Sequence, residues 1–178
     1  MPVVSGAEFL KAARKGGYAV GGYNTNNLEW TQAILEAAEA KKAPVLIQTS
    51  MGAAKYMGGY KVAKDMITNL VDSMNITVPV AIHLDHGDYE AALECIEVGY
   101  TSIMFDGSHL PFEENLKLAK DVVEKAHAKG ISVECEVGSI GGEEDGIIGT
   151  GELADIEECK QMVATGIDYL ACGIGNIH

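Results

Sequence analysis

Short apolar runs alternate with amphipathic stretches along the whole chain. The runs are nearly continuously apolar, which is typical of strands buried on both faces of a sheet. We predict strands over residues 18–24, 44–49, 78–87, 101–105, 131–138 and 167–172. Between them, apolar positions recur with the period of a helix, and this spacing predicts helices over 6–16, 28–41, 62–71, 91–98, 113–129 and 156–165.

This alternation predicts a parallel sheet with helices outside it, joined by right-handed crossovers. Two architectures fit, a (β/α)8 TIM barrel and an open doubly wound sheet. No GxGxxG motif follows the first strand, which disfavours the dinucleotide-binding version of the open sheet. Six units are too few to close an eight-stranded barrel. We therefore expect a single domain over residues 1–178, either open or a barrel truncated after about six βα units.

The composition is that of an ordinary globular chain, since 47% of its 178 residues are hydrophobic and 22% are charged. A formal net charge of −13 argues against a nucleic-acid partner, because nucleic-acid binding needs a basic surface. No apolar run is long enough to span a membrane, and the N-terminus lacks the pattern of a signal peptide. The four cysteines form no CxxC pair, which favours reduced thiols and a cytoplasmic location.

The third predicted strand ends in three titratable residues, His83, Asp85 and His86, followed by Gly87. The carboxyl ends of parallel strands are where α/β proteins usually carry their functional groups. Structural roles compete with this interpretation, because a strand histidine is often a core residue and Asp88 can cap the next helix. Three such groups within four residues favour function, since burying each one costs free energy unless it is paired or metal-bound.

Polar residues stand at the carboxyl ends of all six predicted strands. They are Asn24, Ser50, Asp85 with His86, Asp106, Glu136 and His178. If the six units share one sheet, these residues converge on one mouth. The polarity of loops explains one or two of them, but it explains poorly why two are histidines and three are carboxylates.

Histidine with carboxylate is a ligand set typical of zinc, and a catalytic zinc ion keeps three protein ligands and one open position. The sequence offers no obvious third histidine for such a site. His83 is close to His86 along the strand, and we interpret it as a core or supporting residue. His109 is interpreted as an exposed loop residue and His127 as a helix surface residue. The sequence up to His178 therefore supplies an incomplete set of zinc ligands.

A glycine- and acid-rich segment, residues 141–146, follows the fifth predicted strand. Its composition predicts a flexible loop. The loop is either a solvated acidic turn or a mobile lid that brings a carboxylate over the metal as a general base. The sequence alone favours neither interpretation.

Three motifs resemble the class II, metal-dependent fructose-bisphosphate aldolases of bacteria, whose close relatives include tagatose-bisphosphate aldolases. The motifs are AIHLDHG at 81–87, GGEEDG at 141–146 and GNIH at 175–178, and the resemblance runs from Pro2 to His178. It implies a (β/α)8 barrel, usually dimeric or larger. It also implies reversible cleavage of fructose 1,6-bisphosphate, a phosphorylated sugar, into dihydroxyacetone phosphate and glyceraldehyde 3-phosphate. Zinc would polarise the ketone as a Lewis acid, so no Schiff-base lysine is required.

The resemblance implies a metal site shared among four residues. His86 and His178 correspond to two of the family's three zinc-binding histidines. Asp106 and Glu136 correspond to ligands of a second or alternative divalent metal position, and an assisting monovalent cation is left open. The family's third zinc histidine and its main phosphate-binding loop lie beyond His178, so we expect this chain alone to be a fragment without aldolase activity.

The resemblance also implies catalytic and substrate-binding residues. Asp85 corresponds to the residue that exchanges a proton with the aldehyde carbonyl. Glu144, on the predicted lid, corresponds to the base that takes a proton from the ketose-phosphate carbon. Asn24 and Ser50 correspond to substrate contacts.

Two other functions remain open. A metal-independent barrel lyase would need a lysine at a strand end, and the sequence places none there. A non-catalytic metal-binding or interaction module stays an alternative because the metal site is incomplete. Within the family, these residues do not distinguish fructose from tagatose bisphosphate, and they do not fix an oligomer size beyond a homodimer or larger.

Overall fold

The computed structural model describes residues 2–144 and 147–177, with the backbone alone for residues 144 and 147–149. The strands of this part are β1 (Gly21–Asn24), β2 (Val45–Ser50), β3 (Val80–Gly87), β4 (Ser102–Phe105), β5 (Ser132–Val137), β6 (Gly142–Glu144), β7 (Ile147–Gly149) and β8 (Tyr169–Cys172). Six of them form one parallel sheet in the order β1-β2-β3-β4-β5-β8. This order follows the chain without the reversal that marks an open doubly wound sheet, and it is the order of a barrel.

A helix precedes or follows each strand of the main sheet, as the sequence predicts. The helices are α1 (Gly6–Gly16), α2 (Leu28–Lys41), α3 (Met51–Met57), α4 (Tyr60–Ser73), α5 (Tyr89–Val98), α6 (Phe112–His127) and α7 (Ile156–Ala164). Two predictions were wrong in detail. The first strand begins at Gly21 instead of Tyr18, and the segment after β2 contains the short helix α3 where a loop was expected.

The two faces of the sheet differ in chemistry. Ile82 and Leu84 of β3 are fully buried in the main apolar cluster, which also contains apolar residues of α4, α5 and α6. Because side chains alternate along a strand, His83 and Asp85 face the opposite, inner side. This inner side is unusually polar for a buried face, and the candidate site lies at its carboxyl end.

Helix α1 covers the amino ends of the strands. Val3 forms a parallel bridge with Val80, and Phe9 packs with Leu46 and Ala81 in a small second apolar cluster. The backbone N–H of Gly6, the first helical residue, donates to Ser132 Oγ on β5 at 3.2 Å. The inner face is therefore closed at its amino end and open at the carboxyl end.

The segment predicted as a flexible loop, residues 141–146, is not a loop throughout. Its first part is strand β6, which pairs with β7 in an antiparallel ribbon. At the base of the ribbon, Ser139 and Glu152 exchange two backbone hydrogen bonds of 2.9 Å, and Gly141 forms a bridge with Ile177. The strand pairing and this anchored base constrain the described part of a segment whose glycine content predicted flexibility, while residues 145 and 146 lie outside the described residues.

The described residues include no helix that is both long enough and apolar enough to cross a membrane. Cys95, Cys135, Cys159 and Cys172 all carry free thiols.

One carboxylate clips the connection before β3 to α2. Glu39 accepts the backbone N–H of Thr77 at 2.7 Å, that of Val78 at 3.3 Å and the Thr77 hydroxyl at 2.9 Å, and it pairs with Lys42. The hydrogen bonds from Lys42 and Thr77 lower the pKa of Glu39 to about 2. The folded state therefore favours the charged carboxylate.

We expect Glu39→Gln to lower the melting temperature at neutral pH, because the amide loses the charge that these donors favour. A carboxylate with a lowered pKa stabilises the fold above its ordinary pKa of 4.5 and loses this contribution as the pH falls towards 2. The difference between the variant and the wild type should therefore shrink below pH 4.5 in thermal denaturation experiments. Glu36→Gln, at an exposed position of the same helix, is the control. A difference in melting temperature that does not change with pH would contradict this role of the Glu39 charge.

Candidate metal centre

Strand β3 contains one extra residue at its carboxyl end. It advances three residues, from Leu84 to Gly87, while β4 advances two, from Ile103 to Phe105. His86 sits inside this bulge with a left-handed φ of 46°. The bulge interrupts the alternation of side chains, so that the consecutive residues Asp85 and His86 both belong to the mouth of the inner face.

A Cβ on Gly87 would lie 2.3 Å from the Leu84 side chain and 3.2 Å from the carbonyl oxygen of Met104. No larger residue fits there unless its neighbours shift. The glycine that follows the histidine in the sequence is therefore part of how the bulge is built.

Three side chains from neighbouring strands meet at the bulge. His86 Nδ1 lies 2.8 Å from Asp106 Oδ2, just past the end of β4, and 3.8 Å from Glu136 Oε2 on β5. One ligand atom from each of these residues lies within 4.8 Å of the other two. An imidazole with two carboxylates is a donor set that fits a zinc ion. We call His86, Asp106 and Glu136 the metal triad.

The backbone around the triad fixes its carboxylates. Glu136 is 2% exposed, and its Oε1 accepts the backbone N–H of Ile140 at 3.0 Å. Asp106 Oδ1 accepts the backbone N–H of Ser108 at 2.9 Å. Each carboxylate therefore has one oxygen held by the backbone and the other directed at His86.

Charges within the triad shift its proton affinities in opposite directions. Burial alone would lower the pKa of His86, but the hydrogen bond to Asp106 and the charges of Asp85, Asp106 and Glu136 raise it to about 9. Burial alone would raise the pKa of Asp106, but hydrogen bonds from His86 and Ser108 hold it below its usual value. Without a metal, the triad holds a proton on its imidazole.

Asp85 lies next to the triad and is 6% exposed. Its Oδ1 accepts a hydrogen bond of 2.8 Å from Gln48 Nε2 on β2. Gln48 was missed by the sequence analysis, although it stands two residues before Ser50 on the same face of the strand. The strand period of two is the signal that could have found it.

The two predicted substrate contacts lie at the ends of β1 and β2. Asn24 is exposed and pairs in register with Gln48. Ser50 pairs in register with Asp85, and its hydroxyl accepts the backbone N–H of Ala53 at 3.2 Å as the N-cap of α3. The structure thus gives Ser50 a helix-capping role that the sequence analysis did not anticipate.

Glu134 is a second residue that the sequence analysis missed. It precedes Glu136 by two positions on β5 and lies with its Oε2 3.6 Å from Nε2 of His83. Burial, together with the charges of Asp85 and Glu136, raises the pKa of Glu134 to about 7. The acidic side of the site thus extends one layer below the triad.

The remaining histidines fall where the sequence placed them. His83 is 1% exposed and inside the sheet, whereas His109 and His127 are exposed. His127 Nε2 lies 3.0 Å from Asp168 Oδ2, far along the chain from the triad. Asp88 caps α5 by accepting the backbone N–H of Ala91 at 2.8 Å.

Two further residues of the predicted site have side chains outside the described part of the chain. His178 lies outside the described residues. Glu144 is described by its backbone in β6, and its side chain lies outside the described part. Their roles stay predictions.

The model of one protein family, fructose-bisphosphate aldolase class-II, matches residues 4–178. The chain belongs to the class II fructose-bisphosphate aldolase family. It is 83% identical to a fructose-bisphosphate aldolase of Streptococcus pneumoniae over 178 residues and 54% identical to one of Geobacillus stearothermophilus over 181 aligned positions. These alignments cover the whole chain but 61% and 63% of the two relatives, so the chain spans less than two thirds of their length.

A solved structure gives the same result for the fold. The YdjI aldolase of Escherichia coli K12 is 30% identical and aligns with a TM-score of 0.84 over 99% of this chain and 64% of that one. The sheet with its alternating helices is thus part of a (β/α)8 barrel, and the prediction of a barrel over an open doubly wound sheet is confirmed.

The raised pKa of His86 gives a testable pH dependence in the metal-free chain. A histidine whose pKa rises from 6.5 to about 9 on folding stabilises the fold fully below pH 6.5 and loses this contribution as the pH rises through 9. We expect Asp106→Asn to lower the His86 pKa and to flatten this pH dependence. NMR titration and urea denaturation with a chelator present would measure both. Asp168→Asn, beside exposed His127, should leave the His86 titration unchanged; an equal change would contradict the assignment.

Proposed function

We propose that this chain forms the metal-binding part of a zinc-dependent aldolase that reversibly cleaves fructose 1,6-bisphosphate into dihydroxyacetone phosphate and glyceraldehyde 3-phosphate. The observation that carries the proposal is the metal triad beside Asp85, at the carboxyl ends of neighbouring barrel strands, in a chain of this family. Relatives over the whole chain are named fructose-bisphosphate aldolases, which favours this substrate over tagatose bisphosphate.

His86, Asp106 and Glu136 would hold the metal, and we propose His178 as a further ligand. When bound, a zinc ion supplies Lewis-acid polarisation of the substrate carbonyl. The protein side chains then need only move protons and hold phosphate groups. A second divalent ion and a monovalent cation remain part of the proposal, because the acidic groups extend to Glu134.

Asp85 is proposed to exchange a proton with the aldehyde carbonyl oxygen during carbon–carbon bond cleavage. The hydrogen bond from Gln48 to Oδ1 holds the carboxyl group at the mouth of the inner face, where it could exchange a proton with a bound substrate. Glu144 is proposed to exchange the proton on the ketose-phosphate carbon. It lies on β6, in the ribbon that directly follows β5, the strand that carries Glu136. Asn24 and Ser50 are proposed to contact the substrate from β1 and β2.

The first experiment compares two chains in an aldol-cleavage assay with fructose 1,6-bisphosphate. One is the 178-residue chain, and the other is a chimera that continues past His178 with the corresponding segment of the S. pneumoniae aldolase. We expect activity in the chimera, its loss with EDTA and its recovery with zinc. Activity that survives chelation would contradict the metal mechanism, and an inactive chimera would favour the binding-module alternative.

Gel filtration of the chimera would test the proposed homodimer or larger assembly.

Removing the imidazole of the metal triad should remove the metal. We expect His86→Ala in the chimera to weaken Zn²⁺ binding by more than the roughly 10–100-fold typical of losing an outer partner of a ligand. Chelator competition would measure the affinity. The matched control is His109→Ala, which deletes an exposed loop histidine and should bind Zn²⁺ like the wild type. Equal affinities for the two variants would reject His86 as a ligand.

Asp85→Asn should separate chemistry from metal binding. The amide keeps the shape and the contact with Gln48 but cannot exchange a proton, so kcat should fall by roughly 10²–10⁴-fold with zinc content unchanged. Asp88→Asn, three residues away, keeps a good N-cap residue and should keep full activity. Turnover of Asp85→Asn at the wild-type rate would exclude the proton role.

A further inference from the structure

A chain of hydrogen-bonded side chains crosses the inner face one layer below the metal triad. His83 Nδ1 on β3 lies 2.7 Å from Ser102 Oγ on β4. Ser102 Oγ lies 2.9 Å from the hydroxyl of Tyr169 on β8, and this hydroxyl also contacts Ser132 Oγ on β5. All four residues come from different strands of the sheet. We call them the inner hydroxyl chain.

The lower end of this chain has a fixed direction. Ser132 Oγ donates to the carbonyl oxygen of Thr101 at 3.3 Å, and in its contact with Tyr169 the tyrosine hydroxyl is the donor. The backbone N–H of Gly6 donates to the same Oγ at 3.2 Å. Ser132 has then one remaining acceptor position, and Tyr169 must donate to it.

The direction is passed upward because each hydroxyl has one proton. Tyr169 donates downward to Ser132, so its oxygen accepts from Ser102. Ser102 has then spent its proton and must accept from His83, which places the ring proton on Nδ1. Burial lowers the pKa of His83 to about 3, so the neutral ring carries no second proton. Its other nitrogen, Nε2, carries a lone pair.

The upper end of the chain agrees with this direction. Nε2 of His83 lies 3.6 Å from Glu134 Oε2, whereas an N–H donating to a carboxylate typically lies at about 2.7–2.9 Å. The contact is too long for a donated proton. His83 therefore adds a lone pair, not an N–H, to the acidic layer below the metal triad.

We propose that Tyr169 is a positioning residue that holds His83 in the Nδ1–H form and so keeps the floor beneath the metal triad lined by hydrogen-bond acceptors. A floor of acceptors adds negative potential where a cation binds, whereas an N–H at the same place would oppose the cation. The part that concerns the metal rests on the proposed function; the form of His83 does not.

The test uses the 178-residue chain and measures the proton directly. In ¹⁵N-histidine NMR of the metal-free chain, the His83 ring should show its proton on Nδ1, with the signals assigned by their loss in His83→Asn. Tyr169→Phe frees the Ser102 proton to point at Nδ1, so His83 should shift to the Nε2–H form. In the same variant, competition with a chelator should show Zn²⁺ affinity reduced by roughly 10-fold, at the low end of outer-partner effects.

Tyr100→Phe is the matched control. It also deletes a buried tyrosine hydroxyl, one that lies 2.9 Å from Thr49 Oγ1, but its ring belongs to the main apolar cluster on the other face of the sheet. The control should keep both the Nδ1–H form and the Zn²⁺ affinity. If Tyr169→Phe does not fold, Ser102→Ala takes its place. It removes the same link from the other side and should also abolish the exclusive Nδ1–H form.

The outcomes separate the two proposals. A wild-type ring protonated on Nε2, or an unchanged ring in both Tyr169→Phe and Ser102→Ala, would overturn the hydroxyl chain. A changed ring with unchanged Zn²⁺ affinity would overturn the positioning role. A wild-type chain and chimera that bind no Zn²⁺ would overturn the proposed function, and with it the link to the metal, while the NMR result would still decide the form of His83.

Discussion

The candidate site depends on one extra residue in β3. A regular strand would send Asp85 to the inner face and His86 to the helices, because side chains alternate. The bulge and the left-handed φ of His86 bring both to the mouth. Such a conformation costs about 1–3 kcal/mol in a residue other than glycine, and here the contacts of the imidazole with Asp106 and Glu136 offset it. The bulge therefore determines both the position of the His86 imidazole and the strain in its backbone.

The sequence predicted the main sheet because nearly continuous apolar runs leave little freedom in assignment. It missed α3 because a seven-residue helix with a glycine at its second position and another just after its end is too short to show an amphipathic period. It missed the ribbon because pairing between β6 and β7 depends on an anchored base, not on composition. In the site, residue types at strand ends were sufficient to predict that His86, Asp106 and Glu136 lie together, and their role as metal ligands stays a prediction. Gln48 and Glu134 were missed because they stand inside β2 and β5, two residues before the strand-end residues Ser50 and Glu136 that the sequence singled out.

A proton and a metal ion would compete for the metal triad. In the metal-free chain, the raised pKa of His86 reflects a proton shared with Asp106. A metal ligand must be a neutral imidazole, so loading the site releases this proton. The carboxylates that would attract a metal ion therefore also raise the affinity of His86 for a proton. Protons then compete with the metal, and a low pH favours the protonated site.

Helix α1 closes the amino end of the inner face, and Val3 lies against the start of β3. The metal triad lies at the opposite end, so the first residues of the chain and the chemistry point away from each other. The N-terminus is consequently the natural handle for surface immobilisation or for a fused reporter. An attachment there leaves the mouth facing solution, whereas one on the ribbon between β5 and α7 would obstruct it.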